Sequence, residues 1–357
     1  ATETAPTRTA VCPTPSIDTG TPDGVDCENR MLWVLGKDVL DQDGDSSVTD
    51  TRWWFHDVLH SSPVTATYGK ASGEFIDKII VGTNEGGIHM INSVSGVEEW
   101  AFIPNSLFDN QIALYDDTGP HTYGMDSTPV LRVNDVNRNG EIDPAAGDSI
   151  HLFSAQRRGG SDIFALDITP TNKLTAVTDT IVPKFLWRIQ GGVAGDFARM
   201  GLSFSVPTLA TIAVPGGGST VPKDVLIFGG GYDVALDSDD GTGNARVFGT
   251  AAGDPNLGNA IYVVDAATGD RIFWISSSAD SSNGDAINIP DMKYSIASEL
   301  KVFDSDGDGY DDRLYVGDTA GQVWRVDIAG VDPTGTSPKG NSVVGKLAII
   351  STAGGTP

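Results

Sequence analysis

Residues 304–312, Asp-Ser-Asp-Gly-Asp-Gly-Tyr-Asp-Asp, place five carboxylates within nine positions. Such a cluster repels itself unless a cation sits among the oxygens, and the pattern fits Ca²⁺, which takes six to eight hard oxygen ligands. Asp304, Asp306 and Asp308 occupy positions 1, 3 and 5 of a wrapping loop. Gly309 at position 6 permits the sharp turn, Tyr310 at position 7 offers its carbonyl, and Asp312 at position 9 ligates directly or through water. Position 12, where a helix-loop-helix site carries a bidentate Glu, is Tyr315. The flanks 298–303 and 313–317 read as strands, so the loop joins two antiparallel strands. The alternative is an acidic hairpin turn without metal, since Asp and Gly favour turns for backbone reasons alone. Turn chemistry does not by itself ask for Asp at every second position.

Two other stretches repeat the spacing. Asp135, Asn137, Asn139, Glu141 and Asp143 surround Gly140, with Asn carbonyl oxygens replacing two carboxylates, which predicts weaker Ca²⁺ binding. Asp41, Asp43 and Asp45 begin the same way but have Ser46 at position 6 and Thr49 at position 9, making this the poorest match. The run 237–241 reads as a turn. Nothing nominates a nucleophile or a base. His56, His60, His89, His121 and His151 are dispersed, and the chain has no His-Glu-x-x-His pattern, nucleophile elbow or phosphate-binding loop. Each histidine reads as packing or a surface hydrogen bond, and the protein as one that is not an enzyme.

The elements that must position these loops repeat four times. A small-residue segment with Pro or Ser, two short apolar strands and an outer strand recur at 60–102, 126–188, 203–275 and 294–350. A four-stranded meander cannot bury both faces alone, so the units must stack, and radial stacking of meanders is a β-propeller. The loops at Asp135 and Asp304 fall at equivalent places, after the first strand of their repeats. Trp100, Trp187 and Trp274 recur on outer strands and are expected to fill gaps between neighbouring blades. The all-β propeller is expected over 30–357, with a Pro/Thr/Gly-rich segment over 1–29. Four units do not obviously close a ring, so either N-terminal material closes it or further blades lie beyond this chain.

Composition narrows the partners. The chain has 48 Asp and Glu against 23 Lys and Arg, a formal charge of −25, which opposes nucleic acid and anionic lipid and favours divalent cations. The 43 glycines suit many short strands joined by turns. Cys12 and Cys27 would close a short loop in the N-terminal segment, and a disulfide there fits an oxidising compartment; two free thiols are the alternative. No apolar run approaches the length of a membrane span. No signal peptide is evident, so a mature or excised piece is expected.

Residues 32–45, 54–63, 80–89, 99–104, 160–168, 227–232 and 315–325 together resemble the C-terminal propeller domain of PilY-type pilus tip-associated adhesins. The resemblance runs from about Arg30 to about Ile328. It implies a modified seven-bladed propeller at the tip of type IV pili, acting in pilus assembly, surface adhesion and twitching motility. The expected partners are pilin or minor pilin subunits and a host or abiotic surface, and the expected location is extracellular, at the pilus tip. The family's Ca²⁺ loop, linked there to the balance of pilus extension and retraction, falls on Asp304, Asp306, Asp308, Tyr310 and Asp312. The family's upstream von Willebrand-type domain and an Arg-Gly-Asp motif have no counterpart here, and its last blades are expected elsewhere. The rival class is a quinoprotein dehydrogenase, whose propeller also uses Ca²⁺ and carries Thr-Gly-to-Trp turns such as Thr268, Gly269 and Trp274. Those enzymes show more copies of that turn, and some a vicinal cysteine pair, neither of which this chain has.

Overall fold

The computed structural model describes residues 22–52, 55–117, 119–216, 219–234, 257–277, 279, 284–328 and 339–350. Helix α1 (Pro22–Val34) opens on Pro, whose fixed φ and missing N–H suit a first turn, and ends where Gly36 turns left-handed at φ 84°. The boundary expected at residues 29/30 falls inside this helix. Cys27 is buried and no described cysteine is free, whereas Cys12 lies outside the described residues. The expected turn at 237–241 and Trp54 also lie outside them. Trp33 of α1 is fully buried, with the Arg52 guanidinium 3.8 Å over its ring.

Four sheets follow in chain order. The first is an antiparallel meander of β1 (Val64–Ala71), β2 (Glu74–Gly82), β3 (Ile88–Asn92) and β4 (Glu98–Phe102). Helix α2 (Phe108–Tyr115) leads to the second, β5 (Val130–Asn134), β6 (Ser149–Ala155), β7 (Ile163–Asp167) and β8 (Lys184–Ile189). The third holds β9 (Thr208–Gly216), β10 (Ser219–Gly229), β11 (Ala260–Asp265) and β12 (Arg271–Ser276), plus β13 (Ala286–Asn288) parallel to β12. The fourth is β14 (Lys301–Phe303), β15 (Arg313–Gly317), β16 (Gln322–Asp327) and β17 (Val343–Ile349). The expected four-strand units are therefore found, with a fifth strand added to one of them.

Three apolar cores lie between successive sheets. One joins the first and second sheets through Ile80, Met90, Leu152 and Phe164; another joins the second and third through Phe153, Trp187, Phe228 and Tyr262; the last joins the third and fourth through Ile227, Phe273, Leu314 and Trp324. First strands are neighbours from sheet to sheet, β5 with β9 and β9 with β14. This face-to-face series with first strands innermost is propeller-like, and no closed ring forms among the described residues.

The small-residue segments expected as first strands, 60–67, 126–131, 203–209 and 294–300, begin before the observed strands, the first three overlapping them at their ends and the last stopping just short. Strand pairing starts later, at Val64, Val130, Thr208 and Lys301. The preceding residues run as coil in which buried serines serve the backbone: Gly82 donates its N–H to Ser61 Oγ and Gly229 to Ser205 Oγ, both at 2.9 Å. At Gly82 and Gly229 a Cβ would sit 2.1 Å from Met125 O and 2.2 Å from Ile296 O, so the main chain of the next sheet passes where only glycine fits. The tryptophan expectation holds at Trp187, which donates Nε1–H to Ala266 O and lies against Gly269 in the turn of the next sheet.

Candidate metal centre

In an antiparallel meander, the β2–β3 type of connection lies on one face of the stack, and the β1–β2 and β3–β4 types lie on the other. We call these the first and second faces. The Asp135 loop joins β5 to β6 and the Asp304 loop joins β14 to β15, so both lie on the second face beside the inner strands. The Asp41 loop precedes β1 and is closed at its base by a bridge between Lys37 and Thr51. Arg52, next along the chain, pairs with Glu85 of the β2–β3 connection, which places this loop on the first face.

All three loops share one internal pattern. The carboxylate at position 1 accepts the N–H of position 6: Asp304 from Gly309 at 2.8 Å, Asp135 from Gly140 at 2.7 Å, and Asp41 from Ser46 at 3.0 Å. Position 3 accepts from position 5, as Asp306 from Asp308, Asn137 from Asn139 and Asp43 from Asp45. Position 5 accepts from position 7, as Asp308 from Tyr310, Asn139 from Glu141 and Asp45 from Ser47. Positions 4 and 6 are left-handed in every case: Gly307 and Gly309, Arg138 and Gly140, Gly44 and Ser46. Ser46 thus takes at φ 71° a conformation that costs an L-residue about 1–2 kcal/mol. Its presence at position 6 does not change the loop shape, contrary to what its side chain suggests.

The loops differ in what converges. Carboxylate oxygens of Asp304, Asp306 and Asp308 lie within 4.8 Å of one another, and so do those of Asp41, Asp43 and Asp45. The Asp135 loop does not gather three carboxylates: Glu141 is drawn to Lys173 Nζ at 2.5 Å, and Asp143 caps the following turn by accepting from Ala145 N. Asp312 stands apart from the Asp304 group and binds Ser305 through N and Oγ, both at 2.8 Å, and the Tyr310 N–H is taken by Asp308. The Asp304 carboxyl is held below its ordinary range, first by the Gly309 N–H and then by those of Gly307 and Asp306.

A further carboxylate secures position 2 of each loop. Asp38 accepts from Gln42 N, Asp148 from Val136 N, and Asp312 from Ser305 N. Asp38 and Asp148 are buried, and the sequence reading missed both because they fall outside the nine-residue frame. Asp50 adds a buried Oδ1 without a hydrogen-bond partner at the close of the Asp41 loop. An all-oxygen, anionic donor set of this kind fits a hard divalent cation such as Ca²⁺.

The second-face loops also join sheets. Ile142 donates its N–H to Tyr68 O of β1, so the Asp135 loop lies on the preceding sheet. Asp311, at position 8, exchanges two bonds with Thr211 of β9, N to O at 2.8 Å and Thr211 N to carboxylate at 2.9 Å. Thr211 Oγ1 donates to Asp224 at 2.8 Å, and Asp224 accepts from Arg132 Nε of β5 at 2.6 Å. A polar chain thus runs from one loop, across the third sheet, to the strand that carries the other.

On the first face, His89 bridges Glu98 through Nδ1 at 2.7 Å and Glu85 through Nε2 at 3.1 Å, while Arg52 reaches the other Glu85 oxygen at 3.2 Å. Burial opposes a charge on His89, yet its bonds to Glu85 and Glu98 push its pKa up to about 9. Burial would raise Glu85, but the bond and charge of His89 hold it low. Arg52 thus ties the Asp41 segment to Glu85 of the first sheet, and His89 bridges that carboxylate to Glu98, a role that its isolated position in the sequence did not signal.

Comparison with known proteins adds a relationship to this geometry. No protein-family model matches the chain. It is 25% identical over 297 residues to the type IV pilus biogenesis factor PilY1 of Pseudomonas aeruginosa, covering 77% of this chain and 21% of that protein. It is 26% identical over 257 residues to a PilY1 homologue of Xylella fastidiosa, covering 72% of this chain and 14% of the homologue. The chain therefore spans about a fifth or less of these relatives. Among solved structures, the P. aeruginosa PilY1 C-terminal domain aligns at 21% identity and a TM-score of 0.43, over 73% of this chain and 42% of that one. Over most of its own length, the chain is similar to the PilY1-type pilus biogenesis factors.

Proposed function

We propose that this chain is a Ca²⁺-binding, non-catalytic propeller module of a type IV pilus biogenesis factor, working at the pilus tip outside the cell. Its partners in this reading are pilin or minor pilin subunits and the surface to which the pilus attaches. The similarity to PilY1-type factors supports the pilus role. The observation that carries the ion is the shared loop pattern, with three carboxylates converging at Asp304, Asp306 and Asp308. In this reading the ion neutralises the cluster and draws Asp312 and the Tyr310 carbonyl toward it. The ion then fixes the loop that carries Asp311, and with it the seam between the third and fourth sheets. Ion occupancy would thereby set how firmly the module holds the shape it presents during extension, retraction and attachment.

Isothermal titration of the chelator-stripped chain with CaCl₂ tests the ion directly. The wild type should bind with measurable heat, and Asp304→Ala should lose the tightest component. An unchanged isotherm in Asp304→Ala removes the site from Asp304. The pilus role is tested separately, by asking whether the chain co-purifies with pilins from a piliated strain.

A further inference from the structure

Three polar side chains on adjacent strands of the first sheet meet inside its apolar core, away from every metal loop. They are Lys78 of β2, Asn92 of β3 and Glu99 of β4, with Lys78 and Asn92 direct register partners. The Lys78 side chain is fully buried, that of Glu99 is 4% exposed, and Asn92 is 6% exposed. Ile76 and Ile80 flank Lys78 along β2. The segment 174–181 lies over it and adds Leu174, Val177 and Ile181 to the same core.

Lys78 Nζ donates to Glu99 Oε1, to Asp179 O at 2.7 Å and to Val177 O at 3.4 Å. A buried ion pair asks for no more than these bonds, yet the neighbouring amide is oriented as well. Asn92 Oδ1 accepts the N–H groups of Val94 and Ser95, each at 3.1 Å. Its Nδ2 donates to Val177 O at 2.6 Å and lies 3.4 Å from Glu99 Oε1. The amine and the amide nitrogen therefore share the same carboxylate oxygen and the same carbonyl. An amine nucleophile thus stands beside an amide carbon whose oxygen rests in a cradle of two N–H groups and whose nitrogen faces a carboxylate.

We propose that Lys78 and Asn92 join in an intramolecular amide bond, made by the chain itself with Glu99 as the acid-base residue. Glu99 takes one proton from the Lys78 ammonium, and the freed Nζ lone pair forms a bond to Asn92 Cγ. The carbonyl electron pair moves onto Oδ1, where the Val94 and Ser95 N–H groups hold the developing charge. Glu99 gives its proton to Nδ2, the carbonyl re-forms, and the Cγ–Nδ2 bond breaks with release of ammonia. The second proton lost by Nζ passes through Glu99 to that ammonia. The products are one Lys78–Asn92 amide and one ammonium ion, with Glu99 again a carboxylate, and no co-reactant is consumed. The apolar surroundings keep water from Cγ, so the amine takes the carbon in place of hydrolysis. The bond ties β2 to β3 where the segment 174–181 docks, and neither a reductant nor a chelator would open it. The reaction runs once per chain and is independent of the metal loops.

Mass spectrometry of the reduced full chain reads the bond directly. The wild-type chain should weigh one ammonia less than its sequence mass. Residues 71–132 contain no lysine or arginine besides Lys78 and the terminal Arg132. Trypsin acting on the unfolded chain should therefore yield a 71–132 peptide that is uncut at Lys78 and one ammonia light, in place of separate 71–78 and 79–132 peptides. Glu99→Gln and Asn92→Ala should each keep their full sequence mass and be cut after Lys78. A full sequence mass in the wild type overturns the proposal, and that reading needs neither variant to fold. Loss of ammonia with Lys78 still cut also overturns it, since that result marks a succinimide at an asparagine. A Lys78–Asn92 bond formed in Glu99→Gln overturns the role given to Glu99.

Discussion

At the scale of single residues, the most exacting positions are those where backbone and charge are both committed. Gly309 stands at φ 92° with its N–H on Asp304, so Gly309→Ala should destabilise the loop by about 1–2 kcal/mol, measured by denaturant unfolding without added metal. Gly at Ser46 should do the opposite, since Ser46 already bears that strain; Ser46→Gly should raise the unfolding midpoint. His89 gives a pH signature. Its folded pKa of about 9 lies above the ordinary value of 6.5, so its stabilisation is complete below about pH 6.5 and is lost as pH rises through 9. Unfolding free energy should therefore fall between pH 7 and pH 10, and His89→Gln should flatten that slope. Asp304 and its alternating partners were legible because ligand spacing is local. Asp38 and Asp148 were not, because they lie outside the nine-residue frame, and His89 was not, because its bonds to Glu85 and Glu98 follow from the local turn geometry and not from a spacing motif.

At the scale of elements, the seams between sheets decide stability. Trp187 fills the seam between the second and third sheets and donates to Ala266 O, and Trp187→Ala should cost about 3–5 kcal/mol through the cavity left behind. Gly269→Ala should be damaging from the opposite side of the same contact, because its Cβ would meet the Trp187 ring at 2.8 Å. Both are read as midpoint shifts in thermal unfolding. The four meanders were legible in the sequence because each apolar strand pair is short and bounded by turn residues. The first strands were misplaced by several residues, because a run such as Ser61-Ser62-Pro63 has strand-like spacing. The Ser61 hydroxyl instead accepts the N–H of Gly82. The parallel strand β13 was missed, since three residues paired across a long connection leave no periodic trace.

At the scale of the whole molecule, excess negative charge outweighs any single ion pair. With a formal charge of −25, the metal-free chain should gain thermal stability as NaCl is raised, because screening relieves self-repulsion. Under the proposed Ca²⁺ reading, micromolar to millimolar CaCl₂ should raise the midpoint further. Mg²⁺ should substitute poorly because it dehydrates reluctantly and demands a tighter octahedral shell. Equal stabilisation by the two ions at matched ionic strength would point to general screening and away from a wrapped Ca²⁺ site. The fold supplies four stacked sheets and three apolar seams, while the distribution of charge sets how the seams respond to solution conditions.

That distribution is uneven between the two faces. On the first face the seams are held mainly by main-chain and serine bonds, such as Met125 N to Thr83 O, Gln156 N to Ser203 Oγ and Ile296 N to Gly258 O, with one carboxylate contact, His60 to Asp126. On the second face each seam includes a carboxylate, through Ile181 N to Glu99, through Arg132 to Asp224 and through Thr211 N to Asp311. A shift in acidity or ionic strength therefore bears more heavily on the second-face rim than on the first. The sheets would then pivot about the first-face rim like the leaves of a fan, widening the wedge at the second face and leaving the inner strands on the pivot side in place.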